Sequence, residues 1–281
     1  MLKIKTPCSS ANIGPGFDCL GIAFDIYNHF TFKPGAHNSY SGFAEKYCND
    51  GNMVYKSYKA AAESLGRQAA PVEISFHGQV PAARGLGSSS TCIVAGVTAA
   101  YELAGVPYTK NDLAYTASLI EGHPDNVTPC VYGGFTDAVL TADGDRERLV
   151  VENFGILSTK LSRDVLPKAV GLTAAKKNIA NVPLLIKALE NGDGDLLRVA
   201  SEDWLHQPYR GGIIAGYFDI RQRALDAGAC AVFLSGAGPT MLAVSTVDMK
   251  KQLADITSDM ENTWQVKRIK VDFDGVTVER T

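Results

Sequence analysis

The segment PAARGLGSSST, Pro81 to Thr91, sets Gly85 and Gly87 on either side of Leu86 and follows them with the hydroxyls of Ser88, Ser89, Ser90 and Thr91. Its spacing predicts a loop between a strand and a helix that begins near Ser88. The first backbone N–H groups of a helix have no intrahelical partner, so they point into that loop. The helix dipole favours negative charge at this end, and glycine lets the main chain come close to a ligand. A phosphate group suits such a place. Hydroxyls at the same end can bind its oxygens or reach a magnesium ion, which takes oxygen ligands. The stretch lacks the Gly-Lys-Ser/Thr ending of a Walker loop, and it lacks the GxGxxG spacing and downstream acid of a dinucleotide fingerprint. A serine-capped helix after a glycine turn accounts for the same residues.

Three further segments are rich in groups that could bind a ligand. SSANIGPGFDCLG, Ser9 to Gly21, is a Gly/Pro loop whose polar groups are Asn12 and Asp18. EGHPDN, Glu121 to Asn126, gathers two carboxylates, an imidazole and an amide where one helix closes and another opens. SGAGPT, Ser235 to Thr240, is a glycine turn between strands, where a backbone can approach a ligand. Singly these read as a loop, a helix-capping cluster and a hairpin. Together with the first stretch they make three glycine-rich loops and one acidic helix junction.

The elements that must position these loops can be placed from periodicity. LKIKT and GIAFDIYNHFTFKP read as strands, NMVYKSYKAAAESLG as a helix ending at Gly66, and VEISF as a strand. TCIVAGVTAAYELAG is apolar on most sides and reads as a deeply buried helix. NDLAYTASLIEG reads as a helix capped by Asn111 or Asp112. GGFTDAVLTADGD reads as a strand and turn, and a polar stretch near 143–160 carries the domain boundary. Beyond it, VPLLIKALENGD, GDLLRVASEDWLHQ and YFDIRQRALDAGA read as helices, and CAVFLSGAGPTMLAV as two strands. A helix near 248–260 and a strand, TWQVKRIKVDF, complete the chain. Strands and helices mixed in this way predict two α+β layers and not a doubly wound parallel sheet.

Composition bounds the rest. The 281 residues, 46% hydrophobic and 20% charged, suffice for two domains with a core. A net charge of −3 speaks against a general nucleic-acid or anionic-membrane binder, so an anion must be bound locally. The six cysteines show no paired spacing that would suggest zinc or a disulfide framework. No window has the apolar length of a membrane span or signal peptide, and the chain reads as a soluble cytoplasmic protein.

In their order, SSANIGPGFDCLG, PAARGLGSSST, EGHPDNVTPCVYGG, LHQPYR and LSGAGPT resemble the homoserine kinases of the GHMP kinase superfamily, and the likeness covers nearly the whole chain. Gly-Leu-Gly-Ser-Ser is the pattern of the superfamily; SSANIGPGFD, EGHPDN and LHQPYR are patterns of the homoserine kinases. The resemblance implies a two-domain α+β GHMP kinase fold. Residues 1–154 would form an amino-terminal domain like the second domain of a small-ribosomal-subunit protein, and residues 155–281 a ferredoxin-like carboxy-terminal domain. ATP and substrate would meet between them. The implied activity is Mg2+-assisted, ATP-dependent phosphorylation of the side-chain hydroxyl of L-homoserine in threonine biosynthesis, by a cytoplasmic homodimer.

Carried over residue by residue, the resemblance assigns Pro81, Ala82, Ala83, Arg84, Gly85, Leu86, Gly87, Ser88, Ser89, Ser90 and Thr91 to the ATP phosphates. Asn52 would touch the adenine, and it reads equally as a helix cap. Glu121 and Ser89 would hold the magnesium ion. Asn12, Asp18, His123, Asp125, Arg210 and Gly236 would bind the amino acid, with Asp18 and Asp125 suited to an ammonium group and Arg210 to a carboxylate. Asn126 stands where other members of the superfamily place a catalytic aspartate. An asparagine cannot take a proton, so catalysis by Asn126, Glu121 and Ser89 would rest on positioning and charge stabilisation. His29 and His206 read as structural. Many members carry Asn-Leu-Ser-Arg where this chain has Asn178 to Asn181 as NIAN, so an arginine is absent at Asn181. That absence keeps a second acceptor in view, another small hydroxylated metabolite. A noncatalytic nucleotide-binding module is the alternative from a different class, and the loop glycines with Ser88, Ser89 and Glu121 argue against it.

Overall fold

A computed structural model describes residues 1–143, 146–155 and 166–281. The first half is built on a mixed sheet. Strand β1 (Leu2–Ala11) runs antiparallel to β2 (Leu20–Pro34), with a register shift between Pro7 and Cys8. The alternation read in LKIKT ends there, because every residue from Thr6 to Ala11 is buried. The segment read as one loop therefore starts in β1, at Ser9 to Ala11, and ends in β2, at Leu20 and Gly21, so the loop itself is confined to residues 12–19.

Strand β3 (Ser39–Ser41), helix α1 (Met53–Ser64) and strand β4 (Val72–Gly78) follow, with β4 lying along the second half of β2. Helix α2 (Ser88–Ala104) is enclosed, as its small apolar sequence requires. Gly96 lets it press against α1: a Cβ there would lie 2.4 Å from the Val54 carbonyl oxygen. Helices α3 (Lys110–Glu121) and α4 (Val127–Tyr132) lead into β5 (Phe135–Asp143) and β6 (Arg146–Gly155). Asn111 and Asp112 do not cap α3. Thr109 does, accepting from Asp112 N while the Asp112 carboxylate accepts from Thr109 N, a reciprocal capping box.

The stretch read as polar linker is thus largely strand. β6 pairs with β5 along its length, and the boundary expected between residues 154 and 155 falls on its last residue, next to 156–165, which lie outside the described residues. Strand β5 also pairs with the start of β2, from Leu20 to Ile22, directly after the first glycine loop.

The second half contains α5 (Leu172–Asn191), α6 (Gly194–Ala200), α7 (Gln207–Gly211), α8 (Tyr217–Asp226), the antiparallel pair β7 (Ala231–Leu234) and β8 (Met241–Val244), and α9 (Lys250–Thr257). Helix α5 starts ten residues before the expected VPLLIKALENGD segment and carries Pro183 inside it. TWQVKRIKVDF does not form a strand; it contributes one bridge, Val271 to Phe24, and the last strand is β9 (Thr277–Arg280), paired with β1.

Two larger cores and a small third one, around Ala224, Val232 and Met249, hold these layers. One packs α1 to α4 on the sheet around Phe30, Phe32, Ile74, Val94 and Leu113. The other joins the halves: Cys8, Ala11, Ile13, Leu20 and Phe135 pack with Leu185, Leu197, Phe233 and Leu242. Each large apolar side chain so buried stabilises by roughly 1.5–3 kcal/mol before the entropy of ordering is counted. The three glycine loops cross the top of this shared core. All six cysteines are free, and burial pushes the thiols of Cys8, Cys19 and Cys92 up to about 12, so they are inert at neutral pH. Among the described residues, no helix is long and apolar enough to cross a membrane.

Candidate active site

Gly87 is the cap residue of α2, in the left-handed conformation at φ 59°, and no side chain caps the helix. The serine-capped alternative therefore falls away, and the first-turn N–H groups stay open, the first intrahelical bond of this end running from Thr91 N to Gly87 O. Ala83 and Gly85 also have positive φ, so the loop turns tightly ahead of the helix.

The packing of the loop gives a further reason for the two glycines. A Cβ on Gly87 would lie 2.1 Å from Ser9 Oγ, and one on Gly85 would lie 2.2 Å from the Ser235 carbonyl oxygen. At both positions a Cβ would meet protein atoms. The loop is pressed down on the end of β1 and on the turn after β7, where Ser235 Oγ donates to Gly85 O over 2.7 Å and meets Ser10 Oγ, and Gly236 N donates to Ala11 O.

The expected phosphate contacts sort by burial. Pro81, Ala82, Ala83 and Arg84 are exposed, Leu86 is in the shared core, and Ser88 and Ser89 are partly open. Ser90 and Thr91 are shut in. Thr91 Oγ1 donates to Ser88 O and accepts from Asn28 Nδ2, so that hydroxyl faces the interior, contrary to the expectation of a phosphate contact. Asn52 likewise has the structural role: at 2% exposure, its Oδ1 accepts from Val54 N and its Nδ2 donates to Tyr47 O, capping α1.

Ser89 Oγ donates to Glu121 Oε1 over 3.1 Å, bringing the start of α2 to the end of α3. Two oxygen ligands at the mouth of an anion-binding helix end suit a magnesium ion, which takes its remaining ligands from phosphate and water. Among the described residues no group of three or more His, Cys, Asp or Glu gathers as a self-contained metal cage.

After α3, Gly122 turns the chain so that His123, Asp125 and Asn126 all point inward. His123 Nδ1 meets Asp125 Oδ1. Burial lowers the imidazole pKa, but the hydrogen bond and charge of Asp125, helped by Glu121 and Asp18, outweigh it and hold His123 above its ordinary value. Asn126 Oδ1 accepts from Ser9 Oγ over 2.9 Å. His123 Nε2 and Asn126 Nδ2 are both buried without a protein partner. Each side chain therefore has one end held and the other open.

The first loop is stiffened by Asn12, whose Oδ1 accepts from Asp18 N over 2.8 Å; both residues have positive φ. Arg210, fully buried on α7, lies with its guanidinium carbon 5.1 Å from the centroid of Phe17, the neighbour of Asp18, and donates to Gly236 O. Arg210, Gly236 and the first loop are thus brought to one place.

A hub absent from the sequence reading sets that arrangement. The buried Asp203 carboxylate accepts from Asn178 Nδ2, Leu205 N, His206 N and Gln207 N. Asn178 also donates to Pro15 O, and His206 Nε2 donates to Gly14 O, tying α5 and α7 to the first loop. Burial and the Arg210 charge depress the His206 pKa against the pull of Asp203, so a neutral ring donates at Nε2 and accepts from Arg210 at Nδ1, the structural role expected of it. Asn181 donates to Glu202 O and so tethers α5 to the segment before α7.

Comparison with known proteins decides the family. Models described as GHMP kinases N terminal domain and GHMP kinases C terminal match residues 52–134 and 185–262. A homoserine kinase of Clostridium botulinum is 36% identical over 99% of this chain and 98% of its own length, and one from a Synechococcus strain is 39% identical over 96% and 93%. The chain belongs to the homoserine kinases of the GHMP family. A crystal structure of homoserine kinase from Cytophaga hutchinsonii is 27% identical and covers 99% of this chain and 97% of its own, with a TM-score of 0.81. The α+β GHMP kinase fold expected from the motifs is therefore the fold of this chain, and membership makes it an ATP-dependent kinase of small molecules.

Proposed function

We propose that this kinase transfers the γ-phosphoryl group of ATP to the side-chain hydroxyl of L-homoserine, forming O-phospho-L-homoserine on the way to threonine. The observation that carries the reading is the open α2 N-terminus at Gly87, with the Ser89–Glu121 pair at its first turn and Asn126, which follows the His123–Asp125 pair, directly against Gly87. The helix end and loop amides take the triphosphate. Ser89 and Glu121 would hold Mg2+, which would supply charge neutralisation to the phosphates. Asp18, with Asp125 beside His123, receives the ammonium group, and Arg210 with the Gly236 backbone orients the carboxylate. With Asn126 in place of an acid or base, the site works by alignment and electrostatics: Asn126 Nδ2 donates toward the reacting oxygens and the hydroxyl proton leaves to the phosphate.

The family likeness and the absence of a membrane-crossing helix among the described residues support a cytoplasmic enzyme, and we place it there as a homodimer. An ADP-release assay with homoserine, threonine, shikimate and mevalonate tests the substrate. Homoserine is expected to be turned over with a kcat/KM far above the others. Preference for another alcohol would overturn the assignment of acceptor, and no ADP release with any would overturn the assignment of activity.

A further inference from the structure

Ser9 opens the SSANIGPGFD motif, but the motif assigned no role to its side chain. It stands near the end of β1, its N–H donating to Leu86 O and its hydroxyl to Asn126 Oδ1 over 2.9 Å. Ser9 and Asn126 are fully buried, so no water competes for this bond. The oxygen and nitrogen of an amide differ only through the hydrogen bonds they make. With the Ser9 hydroxyl donating to Oδ1, the N–H pair of the Asn126 amide is turned the other way.

That other end, Nδ2, is buried with no protein partner. A buried donor left unmade costs about 1–3 kcal/mol, and native proteins rarely keep one without a use. Its position gives the use. A Cβ on Gly87 would lie 2.9 Å from Asn126 Oδ1, so the amide lies directly beneath the cap residue of α2. Turned over, the amide would present a carbonyl lone pair to the same region, which would repel a phosphate oxygen.

We infer that Ser9 is a positioning residue for phosphoryl transfer: through its bond to Asn126 Oδ1 it presents Nδ2 to the reacting phosphoryl group. This rests on the role proposed for Asn126 above. Gly87 belongs to the same device, since only a residue without a side chain leaves Ser9 and Asn126 room to meet.

A double-mutant cycle tests it, with Ser9→Ala, Asn126→Ala and the pair measured for kcat and for both KM values, after wild-type turnover of homoserine has tested the substrate assignment by itself. Ser9→Ala is expected to lower kcat roughly tenfold, a fraction of what removing a transition-state donor costs, with both KM values nearly unchanged. In the Asn126→Ala background the same change should have no further effect. Ser9→Thr, which keeps the hydroxyl, should restore most of kcat. Multiplying losses in the double variant, or a Ser9→Ala effect on KM alone, would overturn the inference. So would failure of Thr to rescue in a variant whose melting temperature is that of the wild type. Full activity of Asn126→Ala would instead remove the role of Asn126, and that of Ser9 with it.

Discussion

Gly87 faces Ser9 so closely that a Cβ on the glycine would stand 2.1 Å from the serine hydroxyl oxygen, at a backbone φ of 59° that L side chains rarely adopt. Gly87→Val should therefore act through the protein interior first. The clash and the strained φ together predict a loss of at least about 2 kcal/mol. Thermal melting without nucleotide measures it. An unchanged melting temperature with lost ATP affinity would mean that the side chain enters ligand space instead.

The Ser89–Glu121 pair predicts a metal phenotype. Glu121→Gln should raise the Mg2+ concentration needed for half-maximal activity by at least the roughly 10–100-fold that loss of an outer partner costs a metal site. Titration of activity with Mg2+ reads this out, and an unshifted midpoint would assign the metal to other groups.

Asp18→Asn should raise KM for the amino acid while leaving KM for ATP within about twofold, because the charge it removes is the one proposed to receive the ammonium group. Equal losses for both substrates would make Asp18 a determinant of the loop fold, in line with its positive φ and its bond to Asn12.

The His123–Asp125 pair gives a pH dependence of known sign. His123 binds its proton more tightly in the folded state than the ordinary value of 6.5. The stability it lends is complete below pH 6.5 and is lost as pH rises through the higher folded value. Asp125→Asn should flatten that alkaline-side decline in melting temperatures taken from about pH 5 to about pH 9. Because His206 is shifted the other way, the difference between the two proteins, and not either profile alone, is the measure.

Asp203→Asn puts an amide where a carboxylate accepts from Asn178 and three backbone N–H groups. Hydrogen bonds to a charged acceptor each contribute about 1.5–3 kcal/mol, so a drop of roughly 2–4 kcal/mol is expected from the urea midpoint. A change under about 0.5 kcal/mol would show that the hub is dispensable.

What the sequence disclosed and what it hid divide along physical lines. Loops whose chemistry lies in consecutive residues were readable: the glycine stretch before α2, the acidic junction and the turn after β7. Helix α2 was readable because enclosure demands small apolar residues on every side. The strand β6 was not, since RERLVVENFG carries charge enough to pass for linker and is held by pairing with β5. Pro183 resembled a helix start, yet α5 runs through it. TWQVKRIKVDF has strand composition, yet it forms a single β-bridge to the sheet, Val271 to Phe24, and is also held by side-chain contacts such as that of Tyr27 with Asp272. Asp203 left no local signal at all, and the motifs that contain Asn178, His206 and Ser9 did not reveal what these side chains hold. Their partners lie far away in the chain, and only the fold brings Asn178 to Pro15 or Ser9 to Asn126.

The apolar contacts that bind Ile13 and Phe135 to Leu197 and Phe233 are common property of the two halves that family profiles treat as separate modules. Neither module owns a complete interior without the other. The chain should then melt in one calorimetric transition, and a fragment ending at β6 would carry into solution an oily floor that its missing half was meant to cover.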